Sequence, residues 1–222
     1  MTRRSGSTRR PWLRELQPRA AIGLGSALLC GLGVLFGPAP ALAMRFDIQG
    51  GGKSFVQFES KAQMESFSGK SHQVQGYVDL DPAHLADSIG VYVEVDMASL
   101  DTGISIRNHH MCENHLETAK YPKGVFRGGR VLHPSQPSLK PGEKVTFGLA
   151  GELELHGVKQ RVEVPVEMSS PAEDAGSTLH VLAKFQVRLS DYQINRPKFL
   201  VLKLDEVQRI TVDLVATSKS PH

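Results

Sequence analysis

From Met44 onward the chain alternates apolar and polar residues with a period of two, the spacing that sends successive side chains to opposite faces of a β-strand. In Gln73 to Asp81, one face takes Val74, Gly76, Val78 and Leu80, and the other Gln73, Gln75, Tyr77, Asp79 and Asp81. Ile89 to Met97 divides the same way, with Ile89, Val91, Val93, Val95 and Met97 set against Gly90, Tyr92, Glu94 and Asp96. Val145 to Leu155 and Val158 to Met168 carry the pattern on either side of His156-Gly157, which reads as the turn of a long hairpin. Phe147, Leu149, Val162 and Val164 fall on its inner face. After the turn-rich stretch Ser169 to Gly176, Leu179 to Leu189 places Val181, Phe185 and Val187 together. Ser54 to Ser60, Val125 to Leu132 and Val207 to Ala216 bring the number of expected strands to eight.

Short turns between most of these strands predict antiparallel neighbours. Each strand has one apolar and one polar face, which excludes a parallel sheet covered on both sides and leaves a sandwich or a barrel. Ser105 to Lys120 breaks the alternation, contains Glu113, Leu116, Glu117 and Ala119, and stops before Tyr121-Pro122. This segment is expected to form a short helical crossover. Gly50-Gly51-Gly52 lacks the helix and Lys that would make it a phosphate cradle and reads as a flexible lead into the first strand.

Composition divides the chain before Met44. Residues 1–43 read as a signal peptide: six arginines come first, Ala20 to Phe36 is uncharged and apolar, and Ala41-Leu42-Ala43 supplies a small-x-small cleavage site. Thr8-Arg9-Arg10-Pro11-Trp12-Leu13-Arg14 resembles a twin-arginine export signal. The expected mature protein is therefore residues 44–222, periplasmic or secreted, and the size of one all-β domain. Of the chain's 26 basic and 23 acidic residues, the leader takes six Arg and one Glu, so the remainder has 20 basic against 22 acidic residues. A slightly acidic domain gives no basis for a nucleic-acid partner, whatever the basic character of the whole chain. Cys30 leaves with the leader and Cys112 stands alone, so stability has to come from the core rather than from an intramolecular disulfide.

His109, His110, Cys112 and His115 form the one cluster with ligand chemistry, since residues three apart on a helix share a face. Thiolate and imidazole suit zinc or copper, and Met111 with His115 would suit haem iron, although no Cys-x-x-Cys-His is present for covalent attachment. The simpler reading is a polar helix whose histidines hydrogen-bond or face solvent, with no metal and no cofactor. Cys112 has no elbow motif around it, and no catalytic residue is assigned.

Several stretches together resemble the YceI-like domain family along nearly all of the chain after the leader. They are Ser54-Phe55-Val56-Gln57-Phe58, Phe67-Ser68-Gly69, Ser99-Leu100-Asp101-Thr102-Gly103 with Arg107, Tyr121-Pro122, Gly151 to Gly157, and Arg188-Leu189-Ser190-Asp191-Tyr192. The resemblance implies an eight-stranded antiparallel lipocalin-like barrel whose interior binds a polyisoprenoid, such as a quinone tail, or a similar long-chain amphiphile. It implies a binding protein rather than an enzyme, and an encounter with a membrane surface. The chain departs from the family at Asn114-His115, where an Asp-aromatic pair is usual.

The expected ligand wall comprises Val78, Val91, Val93 and Val95 from the first sheet half, and Phe147, Leu149, Val162, Val164, Val181, Phe185 and Val187 from the second. Arg107, Arg188 and Tyr192, near strand ends, are the candidates for holding a polar head. Two other readings remain open at this stage: a redox module using the His/Cys cluster, and a barrel filled by its own side chains that acts through its surface in envelope stress. Oligomeric state has no signature in the sequence.

Overall fold

The structure, a computed structural model, describes residues 43–61, 66–85, 89–174, 176–196, 198–199 and 202–218. Apart from Ala43, the expected leader lies outside them. The strands are β1 (Met44–Ile48), β2 (Phe55–Lys61), β3 (Ser66–Ser71), β4 (Val74–Leu80), β5 (Ile89–Asp96), β6 (Lys123–Leu132), β7 (Lys144–Leu155), β8 (Val158–Ser169), β9 (Thr178–Arg188), β10 (Lys198–Phe199), β11 (Leu202–Lys203) and β12 (Val207–Ser218). Ten of them form one antiparallel sheet, and β10 and β11 pair only with each other.

The sheet closes on itself. Its order runs β1-β4-β5-β6-β7-β8-β9-β12, and β12 returns to β1 through Phe46↔Ser218 and Ile48↔Ala216. This is the closed eight-stranded barrel that the resemblance implies and that alternation alone left undivided from a sandwich; β1 joins the ring where the sequence pointed only to Ser54 to Ser60, and closure removes the free edges of an open sheet. The β2–β3 hairpin extends one wall: β2 pairs with β12 at residues 209–213, on the same edge that β1 uses further along. β1 and β2 thus act as one long strand interrupted at residues 49–54. Gly50-Gly51-Gly52 is part of that interruption rather than a lead into the first strand, and Gly51 makes its turn at φ 79° with its N–H bonded to the His72 carbonyl at 2.8 Å.

The alternating runs become strands where expected, because each has an apolar face to bury against the barrel interior. The β7–β8 hairpin pairs from Lys144↔Ser169 to Leu155↔Val158. Its two-residue turn has positive φ at both His156 (51°) and Gly157 (74°), the twist-matched geometry of a tight hairpin. Gly76 has a different reason to be glycine. Its φ is 152°, and a Cβ there would stand 2.0 Å from the Tyr92 carbonyl oxygen, so β4 and β5 approach too closely for any side chain.

The crossover between β5 and β6 is helical, as expected, but changes pitch: α1 (Ser105–His110) passes into a π-helical turn at Met111–His115. β3 pairs with β2, from Val56↔Ser71 to Lys61↔Ser66. It meets the crossover through the isolated bridge Lys70↔Asp101, so the crossover covers this end of the barrel.

The opposite end is packed solid. Phe46, Leu80, Leu85, Val145, Met168 and Leu179 are each no more than 1% exposed. The register places these positions together: Phe46 pairs with Val78, Leu80 with Ile89, Val145 with Met168, and Leu179 with Ala216. Two loops cap this end, joined by Leu85 N–H to the Pro137 carbonyl (3.0 Å) and Leu139 N–H to the Pro82 carbonyl (2.7 Å).

Candidate functional site: an apolar chamber beneath a polar lid

Toward the crossover the interior is hollow. A cavity of about 620 Å³ occupies the barrel, within the usual range for sites that take a small organic ligand. Its wall is built by alternation: Val91, Val93 and Val95 of β5, Leu149 and Leu153 of β7, Val164 of β8, and Val181, Phe185 and Val187 of β9 all project inward. The space exists because these residues are mostly short and β-branched, with Ala183 and Gly124 shorter still. A wall of this kind offers apolar contact over most of a ligand's surface, worth about 25 cal/mol per Å² removed from water.

The lid is held by polar bonds. Asn108 Oδ1 accepts from the Thr102 backbone N–H (2.9 Å) and hydroxyl (2.6 Å), and its Nδ2 donates to Asp101 (2.7 Å). Arg107 donates from Nε to Thr102 Oγ1 (2.8 Å) and from Nη2 to the Thr102 carbonyl (2.7 Å), with its guanidinium 4.4 Å from the Phe67 ring centre. His115 Nδ1 meets the Asn195 carbonyl at 2.9 Å, and His156 Nε2, at the hairpin tip, meets Glu117 at 2.7 Å.

Of the wall residues expected from the sequence, Val91, Val93, Val95, Leu149, Val164, Val181, Phe185 and Val187 line the cavity, and so does Arg107. Five others stand elsewhere. Val78 and Phe147 are buried in the packed core, 2% and 5% exposed, although their cross-strand partners Val91 and Val166 line the cavity. Val162 packs between the main core and the satellite cluster of Leu153, Val187, Leu189, Tyr192 and Ile194. Tyr192 belongs to that cluster, where burial, helped by Asp191, pushes its hydroxyl pKa up to about 12. Arg188 is exposed on β9.

The His/Cys cluster splays apart. His109 Nε2 faces Glu113 (3.1 Å), while Cys112 is directed to the Ala98 carbonyl, and burial raises its thiol pKa. His110, Met111 and His115 line the cavity. Among the described residues no group of three His, Cys, Asp or Glu side chains is placed to hold a metal ion.

Sequence reasoning missed part of the wall. Val56 and Phe58 of β2, Phe67 of β3, Phe126 of β6, and Gln208, Ile210 and Val212 of β12 also face the cavity. For β12 the signal was present as alternation from Val207 to Ala216. For β6 it is obscured by a bulge between Gly128 and Arg130, which shifts the register so that Phe126 and Val131, five residues apart, both pack against the core.

A closed antiparallel barrel with one packed end and one hollow, apolar, lidded end is a lipocalin-like binding fold. The chain belongs to the YceI-like domain family, whose profile matches residues 49–216. It is 25% identical over 155 residues to a UPF0312 protein of Vibrio campbellii, covering 68% of this chain and 71% of that protein. Among solved structures it is similar to Burkholderia cenocepacia BcnA, with a TM-score of 0.63 at 21% identity over 74% of this chain and 97% of the other. A polyisoprenoid-binding domain of Saccharophagus degradans implicated in plant cell wall breakdown gives 0.60 at 16% identity, over 80% and 99%. The YCEI protein of Campylobacter jejuni gives 0.54 at 16% identity, over 72% and 85%.

Proposed function

We propose that this protein is an exported, non-enzymatic barrel that holds a polyisoprenoid, or a similar long-chain amphiphile, by apolar contact. The observation that carries this reading is the cavity of about 620 Å³ with its wall of Val, Leu and Phe side chains. A barrel that acted only through its surface would have no need to leave that space open, because an unfilled interior forfeits contact energy of about 20 cal/mol per Å² of cavity surface. The polyisoprenoid-binding neighbour supports the choice of ligand class.

Loading and release would occur at the lidded end. Ile104 and Ile106 on the lid are 47% and 66% exposed, and Ile106 also lines the cavity. Apolar side chains at a cavity mouth suit an encounter with a membrane surface. For export, the sequence of the leader is the support, and β1 beginning at Met44 is consistent with cleavage after Ala43.

Native mass spectrometry of protein purified from its exported fraction tests the reading directly. The expected result is an N-terminus at Met44 and a non-covalently bound, solvent-extractable lipid, or stoichiometric uptake of an added polyisoprenoid. Protein that carries no lipid and takes up no probe would remove the lipid-holding function. A retained leader would remove export alone.

A further inference from the structure

Two polar side chains on the cavity wall have their hydrogen-bonding sense fixed by partners behind them. The Asn195 carbonyl can only accept, so His115 Nδ1 bears the hydrogen that spans the 2.9 Å between them. In the neutral ring this leaves Nε2 as a lone pair, on the opposite edge of a residue that lines the cavity. Burial lowers the pKa of this ring, the Asn195 bond opposes that, and His110 adds to it. Gln208 is 6% exposed and also lines the cavity. Its amide Nε2 donates to the Asp205 carbonyl at 2.7 Å, which fixes the orientation of the amide and leaves Oε1 as its acceptor. Neither His115 Nε2 nor Gln208 Oε1 has a partner among the described residues.

Both acceptors belong to the lidded end. Gln208 pairs with Val187 near the end of β9, and Asn195 follows the turn that ends β9. Arg107, at the same end, gives its Nε hydrogen and one Nη2 hydrogen to Thr102 and lays its face on Phe67, which leaves both Nη1 hydrogens and the second Nη2 hydrogen free to donate.

Resting on the lipid-holding reading above, we propose that this end selects a ligand whose head is a hydroxyl, a long-chain alcohol, over the corresponding ether, which cannot donate. A hydroxyl donates one hydrogen bond, to His115 or Gln208, and can accept from Arg107, whereas an ether oxygen can only accept. An ether brings only acceptor lone pairs to His115 and Gln208, and a partly buried acceptor facing another acceptor loses its water without replacement. His115 and Gln208 are then specificity-determining residues, one on the lid and one on the wall.

The test uses three ligands with one tail: geranylgeraniol, its methyl ether and its diphosphate, each displacing a fluorescent polyene probe from the mature protein. The alcohol is expected to bind about tenfold tighter than the ether, the effect of one hydrogen bond to a buried acceptor, whereas the affinity of the diphosphate, which can accept from Arg107 but cannot donate, should not depend on His115 or Gln208. In His115→Phe and Gln208→Leu the ratio of alcohol to ether affinity should fall toward one. The comparison on the unsubstituted protein stands even if Gln208→Leu folds poorly. Equal affinity for alcohol and ether, or a ratio unchanged in both variants, overturns the selection of a hydroxyl while leaving lipid holding intact. Binding of none of the three overturns both.

Discussion

The two ends of the barrel are made from the same strands and differ in what those strands point inward. At the packed end, large side chains meet across the axis: Phe46 of β1, Leu80 of β4, Met168 of β8 and Leu179 of β9, with Leu85 and Leu139 inserted from the loops. At the lidded end the same strands present Val91, Val93, Val164, Ala183 and Val187, and the interior stays open. A barrel of eight strands is just wide enough for side chains to fill it, so side-chain size decides at each level whether the interior is core or cavity. Stability is concentrated at one end and binding at the other. The lid is held by hydrogen bonds and by Leu116, which packs on the Leu153, Val187 and Tyr192 cluster and not on the packed end.

Truncation should separate the two ends most clearly. Leu80→Ala, at a fully buried position, is expected to cost about 3–5 kcal/mol in chemical denaturation, because the surrounding loops and strands cannot collapse into the space. Val93→Ala removes atoms that already border open volume and should cost about 1 kcal/mol or less. Similar losses at both positions would mean that the lidded end is as tightly packed as the other.

Enlargement should reverse the sensitivity. Val93→Trp or Val164→Trp places the new ring in the cavity, and is expected to abolish uptake of a polyisoprenoid probe at a stability cost below about 1 kcal/mol. Val145→Trp, at a position with no exposed surface, should cost about 3 kcal/mol or more. Unfolding by all three substitutions would show that no usable space exists.

Much of this was legible in the sequence because alternation is a local property that survives without knowledge of partners. The β7–β8 hairpin and its His156-Gly157 turn, the inner faces of β5 and β9, and the helical crossover needed only period and turn chemistry. What escaped was set by distant geometry. β1 and β3 are five and six residues long, and Ser66–Ser71 has little apolar character; each is a strand because its neighbour in the sheet requires one. The bulge in β6 hid Phe126. Nothing local distinguishes Val78 from Val93, since both sit on inner faces, yet Val74, Val78 and Leu80 of β4 pack in the core while Val91, Val93 and Val95 of β5 line the cavity. The roles of Gln208 and His115 depend on Asp205 and on Asn195, the latter 80 positions away from His115, so no spacing rule could reveal them.

The outer surface of the shared wall carries a charged network whose contribution depends on pH. Glu94, buried on β5, accepts from Lys123 Nζ (2.6 Å), from the Tyr92 hydroxyl and from Gln75 Nε2 (2.7 Å), and these bonds hold its pKa down to about 2 despite burial. A carboxylate whose pKa is depressed on folding stabilises the native state above its unfolded value, about 4.5, and that stabilisation disappears as pH falls toward 2. The expected loss attributable to Glu94 is about 1–3 kcal/mol across that window, measured as denaturation midpoints against pH. Glu94→Gln should flatten that part of the profile. If the slope between pH 4.5 and 2 is unchanged in the variant, the network is not what the acid limb reports.

A modest effect on stability is expected at the junction between hairpin and lid. His156 is almost enclosed: its Nε2 bonds Glu117 at 2.7 Å, its Nδ1 lies 3.3 Å from the Tyr192 carbonyl, and its ring sits 4.4 Å from that of Tyr121. One side chain thus ties the tip of β7–β8 to the end of the crossover and to the turn after β9. His156 has φ 51°, so alanine would add backbone strain; asparagine tolerates that conformation and is too short to make the same three contacts. His156→Asn should lower global stability by only about 1 kcal/mol, because Glu117 is half exposed and water replaces much of what is lost. Ligand release should nevertheless speed up by about fivefold, the kinetic equivalent of that energy when it is lost from the closed lid alone. Hydrogen exchange locates the change: amides of residues 105–121 should exchange faster, while those of β1, β4 and the start of β7 keep their protection. A fall in protection spread evenly over both ends would mean that His156 supports the whole barrel, and the separation between a rigid end and a movable one would be lost.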